Sequence, residues 1–265
     1  MWGSGGPEQP HEEIAEDEEK MARIEKQFAG RPLILETGRM ARQADGSCTV
    51  QFGETVVLCT AVAQDTPTNL PFFPLTVEYR ERTYAAGKIP GGYIKREGRP
   101  SDKEILSARL VDRPLRPLFP EGFLHETQIF VYVISADQEN DADVLAVTGA
   151  SLALNMSRIP FNEPVAAVRI GRIQGQWVLN PTFQQLDYSD VEIVVAGTEK
   201  AILMVEGGAL EVPEETIAEG LLVAHEGVRE LIRIQRELLS QIERPEEMKW
   251  SPREIDTGFR ERVLT

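Results

Sequence analysis

The residues best suited to chemistry lie in residues 79–117, YRERTYAAGKIPGGYIKREGRPSDKEILSARLVDRPLRP. The 265-residue chain is acidic overall, with a formal net charge of -15. This stretch instead carries ten Lys and Arg residues against five acids, a local balance of +5. A basic island on an acidic body concentrates a polyanion at one place and repels it elsewhere. At its centre, Tyr93-Ile94-Lys95-Arg96 joins an aromatic ring to two cations, with Arg99 close behind. A ring that stacks on a base, beside cations that meet phosphates, is the chemistry of single-stranded nucleic-acid binding. A solvated basic loop without a ligand gives the same pattern, and both readings stand at this point.

The neighbouring elements must position that tip. A strand-like run over residues 75–83 leads into a loop built on Gly87, Pro90, Gly91 and Gly92, which sets residues 93–96 at its end. Ser101 and Glu104 spell a capping box that opens a helix, with Ile105, Leu106, Leu110 and Val111 as its apolar stripe. Arg109 and Arg113, four apart, share another face, and Arg116 follows at the exit. Pro114 biases Arg113 away from helical angles and predicts the helix end there. These three arginines are candidates for nucleic-acid contact; ion pairing with Asp102, Glu104 or Asp112 is the competing reading.

Other chemistry has little support. His11, His125 and His225 are far apart, and no Cys/His metal spacing, Walker loop or dinucleotide loop occurs. Cys48 and Cys59 face each other in a predicted hairpin around Gly53-Glu54, which fits either a disulfide or two reduced, half-buried thiols. No apolar run approaches the roughly 18 residues of a membrane span. Residues 1–20 carry seven acids and one base, and that composition reads as disorder.

Along the rest of the chain, strands are expected at 32–36 and 127–136, and hairpins at 165–179 and 192–206. Asn140-Asp141-Ala142-Asp143 reads as the cap of a thin helix over 143–156, with Ala146, Gly149, Ala150 and Ala153 on it. Pro213 opens a long helix to about residue 244, with Ile217, Leu221, Ala224, Val228, Leu231, Leu238 and Ile242 on one face. Residues 246–265 read as a linker and the start of another helical element.

The segment IPGGYIKREGRPSDKEILSARLVDRPLRPLFPEGF, with FFPLTVEYRERTYAAGK before it, resembles the polynucleotide phosphorylase family. Within that family it is similar to the first of two RNase PH-like domains of the bacterial type. The resemblance continues through Gly149–Leu154, Ile159–Asn162, Val178–Thr182 and Val194–Glu199, and covers roughly residues 24–244. It implies an α+β fold of the RNase PH or ribosomal protein S5 domain 2 type, a mixed sheet with packed helices. The implied domains are an acidic leader at 1–20, a first RNase PH-like domain at 21–245, and the linker beyond. The implied activity is 3′–5′ degradation of single-stranded RNA with inorganic phosphate as co-substrate, releasing nucleoside diphosphates. The implied setting is a cytoplasmic homotrimeric ring with degradosome-type partners, no membrane, and Mg2+ held in a second domain that lies outside this chain.

In the family the loop narrows an RNA channel, a role that falls here on Tyr93, Ile94, Lys95 and Arg96. The family's commonest loop has two consecutive aromatics, and Ile94 replaces the second. In the family the segment holding Arg39 and Arg42 approaches the same channel, which makes them weaker RNA candidates; plain surface charge is the competing reading. The family's serine-rich phosphate turn corresponds to Asn140-Asp141-Ala142-Asp143, whose carboxylates repel phosphate. Its acid-x-Lys motif corresponds to Glu192-Ile193-Val194, without the lysine. No catalytic residue and no metal ligand is therefore expected in this chain, which should supply RNA contacts and subunit packing. The alternatives are an autonomous single-domain RNase PH-like enzyme and a catalytically silent ring subunit of the exosome kind.

Overall fold

Period-two alternation builds a first meander of four strands: β1 (Ala22–Phe28), β2 (Arg31–Thr37), β3 (Gly46–Phe52) and β4 (Thr55–Pro67). The computed structural model describes residues 21–252 and residue 262. The expectations for 1–20 and for a helical element past 252 fall outside the described residues, residue 262 apart. The two-residue turn at Gly53-Glu54 sets the β3–β4 register, and Cys48 pairs opposite Cys59 as expected. Both thiols are free and buried; Cys48 Sγ donates to Gly149 O at 3.2 Å.

β5 (Leu75–Glu81) runs into a 3-10 turn at Thr83–Ala86 and the exposed loop, after which α1 (Asp102–Leu115) begins. The Ser101/Glu104 capping box forms as the sequence predicts. The predicted end at Arg113 is not observed, because Pro114 sits in the last turn. There it forfeits one backbone bond while its ring is buried beside Leu115, and the Arg116 N–H resumes the ladder at Asp112 O. β6 (His125–Ser135) lies between β4 and β5, completing a six-stranded sheet in the order β1-β2-β3-β4-β6-β5. The sheet is mixed: β5 is parallel to β6, and the other pairings are antiparallel.

Every residue of α2 (Asp143–Met156) is buried. A helix apolar on all sides has to be covered on all sides. One side packs on β3 and β4, so closely that a Cβ on Gly149 would lie 2.5 Å from Cys59 Sγ. Another side packs on β7 (Ala166–Ile173), which forms a second, antiparallel sheet with β8 (Gln176–Leu179), β9 (Ser189–Gly197) and β10 (Ile202–Ala209). That sheet has the order β10-β9-β7-β8, and a short α3 (Phe183–Leu186) precedes β9.

The long α4 (Glu214–Leu239) lies on β7 and β9 and reaches α2, where Gln235 accepts from Ser151 Oγ and donates to Val165 O. It stops five residues before the predicted 244. Ser240 Oγ takes the Glu237 carbonyl, and Arg244 turns away to donate to Ser157 O and Ile159 O. The stretch that follows is held against the domain, with Met248 N on Arg158 O and Trp250 edge-on to Phe123. Among the described residues no helix is long and apolar enough to cross a membrane.

The fold is thus α+β, as expected, with two sheets rather than one.

Candidate nucleic-acid interface and the acidic cleft

The two limbs of the loop after β5 are fastened at their bases. Arg80 Nη2 donates to Gly98 O at 3.0 Å. Glu104 accepts from Glu81 N at 2.9 Å and from Ser101 N at 2.7 Å. Glu97 accepts from Thr83 N at 2.8 Å and Thr83 Oγ1 at 3.2 Å, and pairs with Arg82. The Arg82 guanidinium in turn lies over the Tyr132 ring of β6, 4.6 Å from its centroid.

Beyond these clasps the tip projects. Tyr93 is fully exposed, Ile94 and Ile89 nearly so, and Lys88, Lys95, Arg96 and Arg99 are exposed. Among the described residues no ion pair engages those four cations. Gly92 and Lys95 take left-handed backbone angles (φ +79° and +54°) and turn the chain at the tip.

The arginines of α1 differ from one another. Arg109 is exposed beside a groove between α1 and β5. Arg113 pairs with Glu206 of β10 at 2.8 Å. Arg116 donates twice to Asp112 and also to Phe73 O and Leu75 O, which ties α1 to the start of β5. Of the weaker candidates, Arg39 faces Glu36 at 3.8 Å and Arg42 Nε donates to Gly38 O at 3.0 Å.

A cavity of about 800 Å³ lies between α1, the start of α2, β9 and β10. Asp141, Asp143, Asp190, Glu192 and Glu206 line it against Lys103 and Arg169. Arg169 of β7 is the hub. It donates to Asp141 at 3.0 Å and to Asp143 at 2.5 Å, and pairs with Glu192 through its other terminal nitrogen. Lys103 adds a contact to Asp141 at 3.6 Å and to Glu81 at 2.9 Å. Burial and the Asp141 charge push the Asp143 carboxyl up, against the opposing pull of Arg169. Burial lowers Arg169, but Asp143 and Asp141 outweigh it and hold its cation firmly.

The expected cap of α2 is corrected here. The N-cap residue is Ala142, with no side-chain cap; Asp141 turns to Arg169, and Asp143 divides its oxygens between the first-turn Val144 N at 2.6 Å and Arg169. The preceding turn is built by Asp137, which accepts from Glu139 N at 2.8 Å, Asn140 N at 2.9 Å and Asn140 Nδ2 at 2.6 Å. Burial raises the Asp137 carboxyl, but the Asn140 and Glu139 hydrogen bonds win and hold it at about 2. Its contribution to stability is complete above its ordinary value of 3.8 and is lost as pH falls toward 2. Asp137→Asn is expected to cost about 1–2 kcal/mol at pH 7 after solvent screening, with the gap from wild type closing in acid. Urea unfolding at pH 7 and pH 2.5 measures this.

Sequence reading did not single out Arg169, Lys103 or Glu97. The one available signal for Arg169 was an arginine inside an apolar strand, AAVRIGRI, whose flanking residues are buried. A charge at such a position requires partners.

The frame is a two-sheet α+β domain with a fully enclosed helix, an exposed basic loop and an acidic cleft. Two family models match: 3′ exoribonuclease family, domain 1, over residues 29–160, and domain 2 of the same family over 163–227. The chain belongs to the 3′ exoribonuclease family. It is 63% identical over 243 residues to a protein named polyribonucleotide nucleotidyltransferase from Gemmatimonas aurantiaca, covering 92% of this chain and 33% of that one. It is 53% identical over 232 residues to the protein of the same name from Thermus thermophilus, covering 88% of this chain and 32% of the relative. A third relative of that name, from Halalkalibacterium halodurans, is 54% identical over 215 residues, 81% of this chain and 30% of its own. The chain spans about a third of the length of these relatives.

Proposed function

We propose that this chain is the RNA-guiding, non-catalytic part of a phosphorolytic 3′–5′ exoribonuclease. Residues 21–245 would be its first RNase PH-like domain, and residues beyond 245 the linker toward the rest of a longer protein. In this reading Tyr93, Ile94, Lys95, Arg96 and Arg99 contact single-stranded RNA at the loop. Arg109 and Arg113 extend that contact along α1, and Arg116 supports them from its hydrogen-bonded seat. Inorganic phosphate is the co-substrate of the whole enzyme, a cytoplasmic homotrimer that also takes degradosome-type partners.

The observation that carries the proposal is the state of the cleft. An inorganic phosphate needs unoccupied donors at a helix start. At the start of α2 both terminal nitrogens of Arg169 are already engaged by Asp141, Asp143 and Glu192, which leaves only its buried Nε without a partner among the described residues. The same carboxylates do not fit a magnesium ion. They converge on a guanidinium, and among the described residues no group of His, Cys, Asp and Glu is arranged to hold a metal.

The test is purified chain with fluorescent oligoadenylate, with and without phosphate. The expected outcome is RNA binding seen by anisotropy and no release of nucleoside diphosphate. Steady phosphate-dependent release would overturn the non-catalytic assignment and favour an autonomous enzyme. Absence of binding at low salt would overturn the RNA-guiding one.

A further inference from the structure

We infer that Glu97, an acid inside the basic loop, is a positioning residue that strengthens RNA binding. This rests on the reading that the Lys95/Arg96 tip contacts RNA. The nearby carboxylate would ordinarily be counted against phosphate binding, since it lowers the local positive potential. Its geometry argues the reverse.

Glu97 is the residue that immediately follows Arg96, and its side chain reaches back across the loop. One oxygen accepts from both Thr83 N and Thr83 Oγ1, and the other pairs with Arg82. Three contacts on one carboxylate close a loop whose intervening tip residues, Ile89–Arg96, make no hydrogen bond of their own among the described residues. Arg82 is itself fixed by the Tyr132 ring of the sheet. The chain of support therefore runs from β6 through Arg82 to Glu97, and from there directly to Lys95 and Arg96. Glu104 makes a second clasp lower down, on Glu81 N and Ser101 N. It fixes the stem but lies eight residues beyond the tip cations.

The Arg82 and Thr83 hydrogen bonds hold the Glu97 carboxyl below the usual carboxylate range, so the clasp persists through mildly acidic conditions.

Binding to a loose loop includes the cost of ordering its side chains, about 0.5–1.5 kcal/mol for each one immobilised. A tip already held in place avoids part of that cost. Electrostatics and positioning thus predict opposite signs for removing Glu97. Glu97→Ala deletes a negative charge beside two phosphate-binding cations, which by charge alone tightens RNA binding. If Glu97 positions the tip, the same change weakens it.

The experiment measures anisotropy of a fluorescent oligoadenylate with the wild-type chain, E97A, E97Q and the K95A/R96A double variant. Thermal unfolding and trypsin cleavage in the loop are followed in parallel. The expected result is an E97A Kd about three- to tenfold weaker, with an unchanged thermal midpoint and faster tryptic cleavage between Lys88 and Arg99. E97Q, which keeps an acceptor for Thr83 but loses the charge pair, should fall between. If E97A binds as well as or better than wild type while K95A/R96A binds worse, the inference is overturned and the RNA-guiding reading stands. If K95A/R96A binds as wild type, that reading fails and the inference fails with it. A lowered midpoint that tracks the affinity loss across E97A and E97Q would make Glu97 a folding residue and also overturn the inference.

Discussion

Arg169→Met should destabilise the domain by about 3–5 kcal/mol, the cost of stranding buried charges whose partner is gone. Asp141 and Asp143 lie at the start of α2 with little solvent access, and Glu192 joins them from β9. Asp143 is the most exposed to this loss, since burial and Asp141 already push its carboxyl up. Without Arg169 the charged form is disfavoured further. The defect is therefore largest at neutral pH and shrinks as pH falls and the carboxyl takes up a proton. Replacing all three together, as R169M with D141N and D143N, should recover most of the loss, because the buried carboxylates are then neutral, Glu192 is half-exposed and Lys103 keeps Glu81. Urea unfolding at pH 8 and pH 5 tests both statements. A loss under about 1 kcal/mol for R169M at pH 8 would mean that the cluster is solvated rather than buried.

The second large effect concerns the loop. For single strands, log K falls with log salt by about 0.7 for each phosphate neutralised. Removing Lys95 and Arg96 should flatten the slope by about 1.4 and weaken binding by about 25-fold at 0.1 M salt. Tyr93→Ala removes stacking instead. It should weaken binding by about 1–3 kcal/mol and leave the salt slope as it was. Titrations between 50 and 300 mM salt separate the two contributions. A K95A/R96A slope equal to that of wild type would place the phosphates elsewhere on the protein. An unchanged affinity for Tyr93→Ala would return that ring to the role of exposed surface.

Much of the architecture could be read from local signals. The two-residue turn at Gly53-Glu54 sets register by itself, so Cys48 opposite Cys59 followed from counting. The Ser101/Glu104 box is complete within four residues, and the structure contains it. The exposed tip was legible because its Gly and Pro residues and its charges are adjacent in sequence. What escaped is what depends on distant partners. Asp141 and Asp143 looked like caps because the nearby helix start was visible, whereas Arg169 lies more than twenty-five residues away. The end of α4 was placed late because nothing local announces that Arg244 will reach Ser157 and Ile159. Glu97 went unremarked, because a side chain that folds back across a loop leaves no periodicity.

The enclosed helix bears on what the family's two labels mean. The first label ends at residue 160 and the second begins at 163, a boundary that falls just after α2. Yet α2 is shared: Gly46 has a carbonyl of Ala153 where its own Cβ would be, while Ser151 on the same helix is bonded to Val165 N and to Gln235. Severed at that boundary, either piece would expose a wide oily face that the other now covers. The names therefore mark two stretches of sequence that share one helix, and the two are expected to unfold together in a single transition.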